Sequence, residues 1–242
     1  MKLARSIVEA RYPVVLTGAG VSTESGIPDF RGPNGLWRNE EIMDLLSLDT
    51  LYFMPDLFYS RGLEVLRVLR GKKPNPAHRA IARLEELSVV KSVITQNIDG
   101  LHLEAGSQNV IEIHGNLRTC SCEKCRSTFP FEHIEVSVAK GVIPPKCPRC
   151  GGIVRPDVVF FGDPMPEDFN RAVDEARRSD FMLVVGSSLQ VAPAAYLPEM
   201  VERLGIINLE PTPYDKSALV VIHDKAGEVL PQVVKEVERL LS

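Results

Sequence analysis

Six short stretches of the chain are β-rich: Val14-Leu16, Val90-Thr95, Val110-Ile113, Phe181-Val185, Ile206-Leu209 and Ala218-Ile222. Most run apolar without alternation. A strand with one face in water would alternate, so these runs predict parallel strands covered on both faces. Helical stretches lie between several of them. Asn75-Pro76-Ala77-His78 predicts a helix start, with Asn75 as N-cap and Pro76 in the first turn. Pro166 to Arg178 and Ala226 to Leu241 predict two further helices. Strand and helix alternating in this way predict an α/β fold with a doubly wound parallel sheet.

Two segments break the rhythm. Residues 33–74 read as helices between Pro and Gly punctuation, and residues 118–154 carry all five cysteines among many Pro and Gly. Both are expected to be insertions that project from the sheet and form a small lobe. The expected division is therefore 1–32, 75–117 and 155–242 for the sheet domain, with 33–74 and 118–154 as the lobe.

Polar and glycine residues gather directly after the predicted strands: Gly18-Ala19-Gly20, Gln96-Asn97-Ile98-Asp99, His114-Gly115, Gly186-Ser187-Ser188, Glu210-Pro211 and His223-Asp224-Lys225. Open α/β sheets bind ligands outside the carboxyl ends of their strands. This edge is the expected active site.

Gly18 and Gly20 would let the backbone approach a phosphate, with free N–H groups at the following helix start. The third glycine of the G-x-G-x-x-G fingerprint is missing, because position 23 is Thr23. The acid that a hydride-transfer enzyme places about 20 residues further on is missing too. Glu40 and Glu41 fall in a helical context, and Glu210, after a later strand, is the better candidate. Ile27-Pro28-Asp29-Phe30-Arg31-Gly32 reads either as a surface loop with Arg31 solvated or as a lid whose Phe30 and Arg31 cover a bound cofactor.

The cysteines give a sharper signal. Cys122-x-x-Cys125 and Cys147-x-x-Cys150, separated by 21 residues, form the paired knuckles that hold one tetrahedral Zn²⁺. Four sulfurs leave no open coordination position, so the metal is expected to be structural. Cys120 lacks knuckle spacing and is expected to be a bystander. Among the five histidines, His114 follows a predicted strand at the working edge, beside Asn97 and Asp99 of the next one. An imidazole there can take a proton at neutral pH. His78 and His102 fit packing or capping better, His133 lies in the lobe, and His223 has no catalytic neighbour in sequence.

Charge and composition narrow the partners. A net charge of −4 over 242 residues argues against nonspecific nucleic-acid or membrane-surface binding. No apolar run approaches the roughly 18 residues of a membrane span. The N-terminus has no signal-peptide core, and the clustered cysteines suit a reducing, cytoplasmic setting.

Taken together, GAGVSTESGIPDFRG, TQNIDGLH, EIHGN, the paired knuckles, RPDVVFFGD, GSSLQVAP and INLEP occur in the order seen in the sirtuins. The chain resembles that family of NAD-dependent protein lysine deacylases over nearly its whole length. The resemblance implies a Rossmann-like domain with a small lobe of a helical and a zinc module. It further implies NAD as co-substrate and proteins bearing acetyl-lysine as partners. Gly18, Ala19, Gly20, Ser22, Thr23, Asp29, Phe30 and Arg31 would hold NAD at its phosphates and nicotinamide ribose. Gln96, Asn97, Ile98 and Asp99 would form the nicotinamide pocket, with Asn97 also catalytic. Gly186, Ser187, Ser188, Asn208 and Glu210 would bind the pyrophosphate and adenosine side, with Lys225 and Ala226 near the adenine. His114 would be the general base. Val159, Phe160, Phe161, Gly162 and Val191 would line the acyl-lysine tunnel and pair with the substrate backbone as an added strand.

Two departures from the family pattern stand out. Asp163 replaces the usual Glu. Tyr59 is followed by Ser60-Arg61, one position short of the Tyr-x-x-Arg pair of succinyl- and malonyl-preferring members, which implies an uncharged acyl group, acetyl first. The rival readings are a deacylase for longer uncharged acyl groups, a mono-ADP-ribosyltransferase and a nucleotide-sensing module without turnover.

Overall fold

A computed structural model describes residues 1–29 and 40–242. Its main sheet is built from β1 (Pro13–Thr17), β2 (Ser92–Thr95), β3 (Val110–Glu112), β7 (Phe181–Val185), β8 (Leu204–Ile207) and β9 (Val220–Ile222). These strands are parallel and lie in the order β3-β2-β1-β7-β8-β9. All six apolar runs are strands. Their unbroken hydrophobicity has a simple cause: Val15, Val93, Leu183, Val185 and Ile207 feed one core, while Val14, Leu16, Ile94, Met182, Val184 and Ile206 feed another on the opposite face. The first core is closed by α1 (Lys2–Glu9), α6 (Pro76–Glu86) and α10 (Ala226–Leu241); α9 (Glu167–Arg178) and the 3₁₀ helix Ala194–Met200 close the second.

Strand ends differ from expectation by a residue or two. Val89 and Val90 donate to the Leu84 carbonyl and finish α6, so β2 begins later. β8 stops at Ile207, although Asn208 N still donates to the Ile222 carbonyl at 3.1 Å. The α6 start is as expected: Asn75 accepts from the amides of Ala77 and His78, and the His78 side chain accepts from the Asn75 amide in a capping box.

A second, antiparallel sheet is built from β4 (Gly115–Cys122), β5 (Thr128–Pro130) and β6 (Val154–Val158), in the order β5-β4-β6. Between β1 and α6, the described α-helices are α2 (Glu40–Leu45), α3 (Leu48–Phe53), α4 (Pro55–Leu57) and α5 (Leu63–Val68), with one π-helical turn at Phe58–Gly62. Remaining helices are α7 (Leu101–Glu104) and α8 (Glu132–Ala139). Leu51, Phe58, Leu63 and Leu66 share one core with Leu117, Phe131, Ile134 and Val154, so the helical segment and the small sheet pack on each other. Among the described residues, no helix is long and apolar enough to cross a membrane.

Candidate active site

From β1 the chain winds through β2 to β3 on one side, then through β7 and β8 to β9 on the other. The carboxyl ends of β1 and β7 therefore form a topological switch point, the usual crevice for a nucleotide. Here Gly18 N donates to the Val185 carbonyl at 3.1 Å and Gly20 N to the Gly186 carbonyl at 2.8 Å. A Cβ on Gly20 would lie 2.8 Å from Gly186 Cα. Gly186 itself has φ +61°, and a Cβ there would meet Val21 N at 2.2 Å. The close packing that a third glycine normally permits is thus provided by the β7 terminus instead of position 23. Thr23 bonds back to the Gly20 carbonyl at 3.0 Å and fastens the 3₁₀ helix Ala19–Ser25.

One cavity of about 700 Å³ opens at this crevice. Gly18, Ala19, Gly20, Thr23, Asp29, Gln96, Asn97, Ile98 and His114 line it from one side. Gly186, Ser187, Ser188, Asn208, Glu210, Lys225 and Ala226 line it from another, and Val159, Phe160, Phe161, Gly162 and Val191 complete the wall. Ser22 and Asp99 stand behind, around a small recess that they share with Ala19, Asn97 and Ile98. Phe30 and Arg31 lie outside the described residues.

A buried hydrogen-bond chain fixes the back of this wall. The Asn75 amide donates to His78 Nδ1 at 3.3 Å, so Nε2 carries the proton and faces Ser22 Oγ at 3.3 Å. Ser22 Oγ donates to Asp99 Oδ2 at 2.6 Å and accepts from Asn97 Nδ2 at 3.1 Å. The same Asn97 amide reaches the Gly18 carbonyl, and Thr95 Oγ1 takes the Asn97 N–H. Asn97 Oδ1 is buried with no hydrogen-bond partner among the described residues. A buried acceptor of this kind costs free energy unless something donates to it, which fits a ligand amide at this end of the cavity.

His114 is held from two directions. Its Nδ1 is 2.9 Å from the Gln96 carbonyl, and its own carbonyl accepts from Val159 N at 3.0 Å. A carbonyl can only accept, so Nδ1 carries the proton and Nε2 keeps its lone pair. Burial lowers the pKa below the usual 6.5, opposed by the Gln96 carbonyl. The imidazole is therefore a neutral base at neutral pH.

Nucleotide-side contacts are partly preset. Gln96 Nε2 donates to Ser187 Oγ at 2.9 Å, and Asn208 Nδ2 to the Glu210 carbonyl at 2.6 Å. Glu24 accepts from Gly227 N at 2.8 Å, so a carboxylate of the 3₁₀ helix caps the first turn of α10. Lys225 pairs with Glu228 at 3.3 Å. Of the two sequence departures, Tyr59 is buried with its hydroxyl on the Val154 carbonyl at 3.0 Å, and Arg61 is exposed. They form no pair facing the cavity. Asp163 meets Arg155 in a two-pronged ion pair.

The four knuckle cysteines converge, with all four sulfurs within 4.8 Å of one another. Cys122 and Cys150 are 3.5 Å apart and Cys125 and Cys147 3.7 Å. A tetrahedron of Zn–S bonds near 2.3 Å has edges of about 3.8 Å, so the sulfurs fit one zinc ion. A Cβ on Gly152 would come within 2.9 Å of the Cys122 sulfur, which ties that knuckle to glycine. Cys120 turns its buried thiol to the carbonyls of Phe129 and Pro130, away from the cluster.

Residues 18–193 match the Sir2 family. The chain belongs to that family. It is 51% identical over 245 residues to an NAD-dependent protein deacetylase of Caldivirga maquilingensis, covering 100% of this chain and 95% of the relative. It is 50% identical over 233 residues to NAD-dependent protein deacetylase 2 of Caldanaerobacter subterraneus, covering 96% and 93%. Among solved structures, a Sir2 variant with a deacetylated p53 peptide and 3'-O-acetyl-ADP-ribose superposes with a TM-score of 0.90 at 38% identity, over 97% of each chain. A Sir2–p53 peptide–NAD⁺ complex gives 0.89 at 37%, over 98% of each.

As a Sir2-family chain it also carries cavity residues that sequence reading missed. Glu24 and Gln190 line the same space, as do Leu46, Val65, Leu66 and Leu69 of the helical segment. Glu24 had a legible signal, an acid one turn after the glycine loop. The leucines had none, because their spacing reads as ordinary core.

Proposed function

We propose that this chain is an NAD-dependent protein lysine deacetylase. The carrying observation is the His114 imidazole, its Nδ1 committed to the Gln96 carbonyl, on the wall of one cavity that also holds Asn97 and Val159. The names of the relatives and the peptide and NAD⁺ of the related structures support the same reading.

When bound, NAD supplies a ribose carbon that gives up nicotinamide and takes the acyl oxygen. Gln96, Asn97, Ile98 and Asp99 would hold the nicotinamide end, where Asn97 Oδ1 offers an acceptor to an amide donor. Gly18, Ala19, Gly20, Ser22, Thr23, Asp29, Phe30 and Arg31 carry the phosphates and ribose. Gly186, Ser187, Ser188, Asn208, Glu210, Lys225 and Ala226 carry the pyrophosphate and adenosine. His114 Nε2 takes a proton from a ribose hydroxyl. Val159 to Gly162 and Val191 enclose the acyl-lysine and keep water from the reacting centre, so position, dryness and one base do the work.

The four cysteines hold zinc as a closed, structural site. Residues 33–74 and 118–154 form the small lobe over a nucleotide-binding domain of 1–32, 75–117 and 155–242. The cysteines gathered as a metal cluster support a reducing, cytoplasmic location. The test is mass spectrometry of an acetyl-lysine peptide with and without NAD, with His114→Tyr as control. Deacetylation that ignores NAD or survives the substitution overturns the reading.

A further inference from the structure

The loop that lines the acyl side of the cavity is tied down almost residue by residue. Val159 N donates to the His114 carbonyl at 3.0 Å, Phe161 N to the Leu46 carbonyl at 3.2 Å, and Leu48 N to the Phe161 carbonyl at 3.0 Å. Gly162 turns the chain with φ +94°. Inside that turn, Asp163 Oδ2 accepts from Phe160 N at 2.9 Å. Arg155, on β6 of the small sheet, donates from Nη1 to Asp163 Oδ1 at 3.0 Å and from Nη2 to Asp163 Oδ2 and the Val158 carbonyl. Its guanidinium also lies over the Phe160 ring, 5.1 Å from the centroid.

This pair is poorly hydrated: the two side chains are 15% and 12% exposed. An ion pair so enclosed gains its strength from fork geometry and falls sharply if one member is removed. Its span is what matters. One guanidinium joins both ends of the loop, Val158 and Asp163, and the Val159 amide joins the loop to the backbone of His114. The Tyr52 hydroxyl, which donates to Glu123 of the first cysteine knuckle, stands beside the same guanidinium.

We infer that Arg155 and Asp163 are positioning residues for substrate: their ion pair sets the Val158–Asp163 loop at the height above His114 that an acyl-lysine peptide needs. The inference rests on the deacetylase reading and adds to it a pair outside the NAD-holding residues and the base named there, although Asp163 borders the cavity. Asp163 spends both carboxylate oxygens inside the protein, so its effect on substrate passes through the loop.

The test measures steady-state constants for an acetyl-lysine peptide, NAD affinity by calorimetry and zinc content, on the full chain. Arg155→Gln should raise the peptide KM about ten-fold and leave the NAD Kd within about two-fold, with zinc retained. Arg155→Lys should recover part of the loss, since it restores charge without the fork. The double variant Arg155→Gln/Asp163→Asn should be no worse than the worse single one. Additive losses, an unchanged peptide KM, or peptide KM, NAD affinity and melting temperature all worsening together would overturn the inference. Should Arg155→Gln fail to fold, Asp163→Asn, which keeps shape and removes charge, should show the same rise in peptide KM; an unchanged KM there overturns the inference equally. A wild-type chain that turns over no acetyl-peptide sinks the deacetylase reading itself; active wild type with indifferent variants sinks only the positioning pair.

Discussion

His114 donates its Nδ1 proton to the Gln96 carbonyl across 2.9 Å, and that bond decides which nitrogen can act as a base. Gln96 closes the end of β2 and His114 follows β3, so the bond joins two neighbouring strand ends. Burial disfavours the imidazolium and holds the pKa below 6.5. A base works when unprotonated, so kcat should stay level as pH falls to about 6.5 and decline only below it. A pH–rate profile with its acid limb centred above 7 would contradict this.

Buried histidines also set the acid stability. Burial lowers His78 to about 4, with Arg79 adding to it, and pushes His102 well below 6.5 and His114 down in the same direction. Between the folded and unfolded values the unfolded chain binds more protons. Stability is therefore complete above pH 6.5 and is lost as pH falls toward the folded values. His78 alone accounts for about 3 kcal/mol by pH 4. Asp99, raised chiefly by burial, works in the opposite sense through the carboxylate range. Urea unfolding at pH 7.5, 5.5 and 4.5 should give steadily smaller free energies; equal values would contradict the account.

Much of this architecture is legible in the sequence because burial on both faces leaves strands nowhere to carry a polar residue. Val14 to Leu16 and Phe181 to Val185 reveal themselves for that reason. The histidines differ in local pattern: His78 sits three residues after Asn75, the spacing of a capping box, while His114 sits at a strand end. Other features were hidden because they depend on pairings distant in sequence. Nothing local says that β1 lies beside β7, so the substitute for the third glycine could not be found at Gly186. Likewise Glu24 capping α10 needs a contact across most of the chain, and Arg155 meeting Asp163 needs the loop between them to turn back at Gly162.

The glycine contact can be tested directly. Gly186→Ala places a Cβ against Val21 N in a left-handed backbone and should cost about 2–4 kcal/mol, measured by urea unfolding. NAD affinity should fall with it, since Gly20 and Gly186 shape the crevice together. A variant as stable as wild type would mean the β1–β7 contact is looser than described.

Zinc should separate the cysteines cleanly. Cys122→Ser should drop metal content from about one zinc per chain to near none and unfold the small sheet at lower temperature. Cys120→Ala should keep its zinc, since that sulfur points to the Phe129 and Pro130 carbonyls. Zinc lost from both variants, or from neither, would contradict the assignment.

The most direct test follows the acetyl group itself. An acetyl-lysine peptide labelled with ¹³C on the acetyl is incubated with NAD and the full chain, and all products are weighed by mass spectrometry. One nicotinamide and one labelled O-acetyl-ADP-ribose should appear for each lysine freed. ADP-ribose attached to protein, with the labelled acetyl still on its lysine, would contradict the deacetylase reading.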